Sequence, residues 1–156
     1  MKSPAKVVQD EDSITLFLQD KPVLRYYTAL CDVPAGVNPL YRRSGFIHPL
    51  WSPEGRVLTR IQPPDHYHHY GIWNPWTMTH IEGREVDFWN LAKGQGTVRF
   101  AGLEEIVQEE QGGGFQVRQE HIDLTAQPQG RVSIEETWDI RAFPAEAEGR
   151  TVWVVD

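Results

Sequence analysis

Three of the chain's six histidines, His66, His68 and His69, fall within four residues, directly behind Pro63-Pro64-Asp65. Imidazole titrates close to neutral pH, so such a group can take and give protons under physiological conditions. Imidazoles beside a carboxylate are also donors that zinc, iron, copper or nickel accept. Two chemical readings follow: proton transfer by His48, His66, His68 and His69, or a divalent metal ion held by Asp65, His66, His68 and His69. A third reading is structural, because histidines next to Tyr67 and Tyr70 can simply bond backbone at a strand end. The spacing leaves all three open, since His-x-His with one further histidine does not fix where the remaining ligands stand.

The residues that follow are rich in flat side chains. Trp73, Trp76 and Trp89 could stack on the apolar faces of sugar rings, with Arg60, Asn74 and Asp87 bonding to hydroxyls and Asn90 a further polar group in reach. Each tryptophan could equally be core. Trp138 and Trp153 lie in alternating segments and are expected to pack against a sheet.

These side chains need elements to position them. The diproline enters the cluster stiffly. On an extended chain His66 and His68 would project to one side, Asp65 and His69 to the other. All can face one ligand only if the backbone turns, and Gly71 permits a bend. A hairpin of residues 45–51 and 56–61 around Ser52-Pro53-Glu54-Gly55 would pair Trp51 with Arg56 and set His48 opposite Thr59. Pro49 has no amide proton, which assigns its strand to an edge or a bulge.

The wider pattern is alternation with a period of two, broken by turns. Residues 13–18 and 23–30 read as partners across Gln19-Asp20-Lys21-Pro22, and residues 32–41 as a loop. Residues 96–107 and 115–124 flank Gly112-Gly113-Gly114, read as a flexible hairpin turn rather than a phosphate loop. Beyond it Val132, Ile134, Trp138 and Ile140 share one face. Glu136 breaks that face, which marks either a strand end or bulge, or a buried functional carboxylate. Arg42-Arg43 reads as a solvated basic spot, with contact to an anionic ligand as the alternative. No segment carries a helical stripe, so the fold class is all-β, an antiparallel sandwich. The chain stops inside an apolar strand at 151–156. We therefore read residues 1–156 as one sandwich domain forming the N-terminal portion of a larger one.

A formal charge of −7 and the lack of a basic run argue against nucleic acid as a partner. No apolar run is long enough to cross a bilayer, and the N-terminus lacks a signal-peptide core, so the expectation is a cytoplasmic protein without a membrane partner. Cys31, the single cysteine, cannot build a thiolate metal site.

The segments Ser44-Gly45-Phe46-Ile47-His48-Pro49-Leu50-Trp51, Pro63-Pro64-Asp65-His66-Tyr67-His68-His69-Tyr70-Gly71-Ile72-Trp73 and Val86-Asp87-Phe88-Trp89 resemble, in that order, the bacterial family called methane oxygenase PmoA-like. The resemblance spans about residues 41–99. It implies a domain of unknown biochemical function, often encoded beside sugar-modifying oxidoreductases and isomerases. It also implies a β-sandwich similar to the galactose-mutarotase supersandwich, where histidines and a carboxylate manage protons on a sugar. Three functions follow as expectations: a carbohydrate-active domain acting on a sugar or keto-sugar, a non-catalytic carbohydrate-binding sandwich, and a metal-dependent oxygenase. The partner is a small carbohydrate in the first two, and an exposed sheet edge could add a homo-oligomer.

Overall fold

The computed structural model describes residues 5–74 and 76–156. Its strands are β1 (Ala5–Gln9), β2 (Ser13–Leu18), β3 (Lys21–Tyr27), β4 (Phe46–Leu50), β5 (Thr79–Ile81), β6 (Arg84–Val86), β7 (Gly96–Gln108), β8 (Gly113–Asp123), β9 (Arg131–Ala147) and β10 (Arg150–Val155). They form two four-stranded antiparallel sheets, ordered β1-β2-β3-β4 and β10-β9-β8-β7, and a small β5-β6 hairpin. Side chains from both sheets meet in one apolar cluster: Ile14, Leu16, Leu18 and Leu24 from the first, Phe115, Val117, Ile140 and Ala142 from the second. The chain is an all-β sandwich, as its alternation predicts. Trp138 and Trp153 pack against this cluster, also as expected. Among the described residues no helix is long and apolar enough to cross a membrane.

Several local expectations are corrected. The first hairpin turns on only two residues, Gln19 and Asp20, both with positive φ, so Lys21 already pairs with Leu18. That mirror-image turn matches the twist of the strands it joins. β3 stops at Tyr27 rather than Leu30 because the Thr28 and Ala29 amides turn aside to the Asp12 carbonyl. β1, not anticipated, adds an outer strand to the first sheet. Residues 56–61 form no ladder; only the isolated bridges Trp51 with Val57 and Ile61 with Tyr70 occur there. Pro49 does lie in the last strand of its sheet: among the described residues β3 is the one ladder partner of β4, whose other side carries the isolated bridge Ile47 with Ile72.

The glycine triplet works differently from a flexible turn. The β7–β8 turn is closed by the Glu109 amide on the Gly112 carbonyl, and Gly113 and Gly114 already pair within the sheet. A Cβ on Gly114 would lie 1.8 Å from the Ile140 carbonyl oxygen, so close approach, not flexibility, requires glycine there. Glu136 is neither a strand end nor a bulge. It sits in regular register opposite Gln119 within β9.

At one end the space between the sheets is polar. Arg43, expected in solvent, is buried there, with its Nε and Nη2 donating to the Ser44 and Gly45 carbonyls at 3.1 and 2.9 Å. Burial pushes its pKa down to about 10, so it stays cationic at neutral pH. Its neighbour Arg42 remains at the surface, paired with Asp32.

Candidate functional site

The histidine segment is built from two consecutive turns. The His66 amide donates to the Pro63 carbonyl at 2.8 Å and the His69 amide to the His66 carbonyl at 3.0 Å. Pro64 sits at the second position of the first turn, where its fixed φ is preformed. The Gln62 amide closes the base on the His69 carbonyl at 2.8 Å, and Tyr70 anchors the segment to the core. Tyr70 is buried against Phe46 and donates its hydroxyl to the Tyr41 carbonyl at 2.6 Å. At Gly71, φ is +54° and a Cβ would fall 2.2 Å from the Ile47 carbonyl oxygen, so the chain can leave the turn beside β4 only as glycine.

Turning the backbone brings together rings that an extended chain would separate. His66 stacks on His69 with centroids 4.7 Å apart, and His68 meets His69 edge-on at 4.5 Å. Trp89 approaches His68 at 6.3 Å and Trp73 approaches His69 at 5.3 Å. His66, His68, His69, Thr77, Trp89 and Asn90 line an open cleft of about 540 Å³. Burial, and then the neighbouring His69 and His66, push the His68 pKa below its ordinary value against a weaker pull from Asp87. At neutral pH His68 is therefore a neutral imidazole, able to accept a proton.

His48 stands apart from the cleft lining. Its Nδ1 lies 2.8 Å from the Thr59 hydroxyl, the neighbour the hairpin argument assigns it, although Trp51 bridges Val57 rather than Arg56. Burial, with Arg25 adding to it, lowers its pKa too.

The four candidate metal ligands are not arranged as a coordination set. Among the described residues no three His, Cys, Asp or Glu side chains are placed to hold a metal ion. Two of the imidazoles stack face to face at an interplanar angle of 23°, which directs ring faces at each other rather than nitrogens at a common point. Asp65, largely exposed, turns to His66 Nδ1 at 3.1 Å. The bond from His66 is the main reason its carboxyl titrates below the usual range.

The expected sugar-binding residues divide. Trp89 lines the cleft and Trp73 backs His69. Trp76 is 46% exposed and Arg60 is exposed, neither of them in the lining. Asp87 is 1% exposed and its oxygens are occupied: they accept from the Trp89 and Asn90 amides, the Asn90 side chain and Lys93, all at 2.8–2.9 Å. Burial opposes its ionisation, but the bonds from Lys93, Asn90 and Trp89 prevail and hold its pKa at about 2. Asp87 thus fixes the Trp89-Asn90 rim and has no oxygen left for a hydroxyl. Asn74 is also committed, its amide donating to Glu136.

His121 escaped sequence reasoning. It is fully buried on β8 and its Nε2 lies 2.9 Å from the Glu136 carboxylate. A signal existed: the apolar phase of β8, Phe115 and Val117, continues as Gln119 and His121, and the matching phase of β9 carries Glu136. Polar residues kept in the inward phase on two paired strands mark a buried polar patch.

No curated protein and no solved structure matches this chain. A protein-family match covers residues 13–156, which takes in every strand but β1, the histidine turn and the buried polar end. The chain belongs to that family, the family of unknown function DUF6807.

Proposed function

We propose that the cleft takes a small polyhydroxylated ligand, a sugar or keto-sugar, and that its imidazoles exchange protons with it. The observation that carries this reading is the lining itself: three imidazoles and an indole around one open cleft of about 540 Å³. That size is within the range of small-molecule sites. Trp89 supplies an apolar wall for the C–H face of a ring, while Asn90 and Thr77 supply hydroxyl-bonding groups. His68, neutral at pH 7, is the proton acceptor. The resemblance of residues 41–99 to PmoA-like proteins encoded beside sugar-modifying enzymes points the same way. Oxygenase chemistry through two histidines and a carboxylate finds no such ligand set among the described residues.

The test is exchange of sugar C–H for deuterium beside the carbonyl, followed by NMR in D2O over a panel of aldoses and ketoses. Tryptophan fluorescence reports binding in parallel. His68→Ala should lower the exchange rate on the order of 100-fold with binding retained, and Trp89→Ala should weaken binding about tenfold. Binding that depends on Trp89 with no exchange at all would make the domain a carbohydrate-binding module instead. Absence of binding across the panel would refute the proposal.

A further inference from the structure

The most unusual group in the interior is His121. Its Nε2 donates to Glu136, so in the neutral ring Nδ1 is a lone-pair acceptor, and among the described residues that buried atom has no hydrogen-bond partner. A buried polar atom left unpaired costs about 1–3 kcal/mol, and native proteins keep such atoms chiefly where a water or ligand completes them. Among the described residues the indole N–H groups of Trp73 and Trp89 are also buried without partners. Trp73 adjoins Asn74, which bonds Glu136, and Trp89 adjoins Phe88, whose ring meets His121 edge-on at 5.3 Å. A hydroxyl or an enclosed water supplies the donor that the lone pair of His121 Nδ1 lacks.

Glu136 has the environment of an orienting carboxylate. It is 18% exposed and bonds both His121 and Asn74. Burial would raise its pKa, yet the bonds from His121 and Asn74 outweigh burial and keep it ionised. A carboxylate on one imidazole nitrogen fixes the tautomer and leaves the other nitrogen free to accept a proton.

We propose that the cleft extends inward to a carboxylate–imidazole pair, Glu136 and His121, which receives a ligand hydroxyl at His121 Nδ1, directly or across one enclosed water. Asn74 fastens this pair to the cleft wall, since the residue before it packs on His69. The pair supplies a buried carboxylate beside the histidine turn, where Asp65 is largely exposed and bonded to His66 and Asp87 is consumed by its own loop. This inference rests on the carbohydrate reading above.

The test uses the whole chain labelled with 15N-histidine, with ring nitrogens followed by long-range 1H–15N NMR during titration with D-glucose, D-galactose, D-fructose and D-xylose. In the free protein His121 should show a protonated Nε2 and an unprotonated Nδ1. On binding, the Nδ1 signal should move together with those of His66, His68 and His69. Glu136→Gln should disturb the His121 tautomer signature and weaken sugar affinity at least fivefold. Movement of the three cleft imidazoles with His121 silent would overturn the inference and leave the cleft reading intact. No movement at any histidine would overturn both. If Glu136→Gln does not fold, the wild-type titration still decides.

Discussion

The two ends of the sandwich interior obey different rules. At one end Ile14, Leu16, Leu18, Phe115, Val117 and Ala142 pack into one apolar cluster, and stability there is a matter of area and fit. At the other, the same two sheets enclose Arg43, Gln119, Glu136 and His121, each committed to particular partners. Placed to satisfy its neighbours, the Gln119 amide donates to the Gly45 carbonyl and accepts the Trp138 indole N–H, both at 2.8 Å. Apolar packing of this kind tolerates exchange of one aliphatic residue for another. A polar layer does not, because removing one member strands another. The histidine cleft opens beside the polar end, where Asn74 joins the cleft wall to Glu136. Apolar burial is concentrated at one end and the proposed chemistry at the other.

The sharpest way to break this division is Leu16→Ala at the apolar end. Leu16 is completely buried, so the variant should lose about 2–5 kcal/mol in denaturant unfolding. In the fraction that remains folded, the histidine resonances should be unchanged. A large shift of those resonances would show that the two ends are mechanically one.

An intermediate effect is expected at Asp87. Its pKa of about 2 lies below its value of 3.8 in an unfolded chain, so its contribution is complete above about pH 4 and is lost as pH falls through 2. The difference corresponds to about 2 kcal/mol. Asp87→Ala should cost about that much at pH 7 and flatten the acid limb of the stability curve, read by urea unfolding across pH. His68 adds a smaller loss of the same sign at milder acidity. Its folded pKa is depressed, so the unfolded chain takes up more protons once pH drops below about 6.5, and stability declines.

The smallest stability effect belongs to the cleft rim. His66 is half exposed, and His66→Ala should change unfolding free energy by no more than about 0.5 kcal/mol. Its effect on proton exchange with a bound sugar should be far larger than its effect on folding. A variant that unfolds instead would return the histidines to a structural role.

Much of the frame was legible in the chain alone. Alternation over residues 13–18, 96–107 and 115–124 specified strands and an all-β class, because a period of two can bury one face only on a sheet. The clustering of His66, His68 and His69 behind two prolines marked the candidate site, and His48 does meet Thr59, though the hairpin register that suggested the contact does not form. What the chain could not disclose were contacts made across large separations. Asn74 and Glu136 are 62 residues apart, His121 and Glu136 are 15 apart, and Arg43 enters the interior instead of the solvent. Local pattern also misjudged Asp87, whose carboxylate reads as a ligand-binding group but is saturated by the loop that it holds. Periodicity reports which face a side chain takes. Only the packing of one sheet on the other decides whether that face meets oil, a buried charge or a cleft.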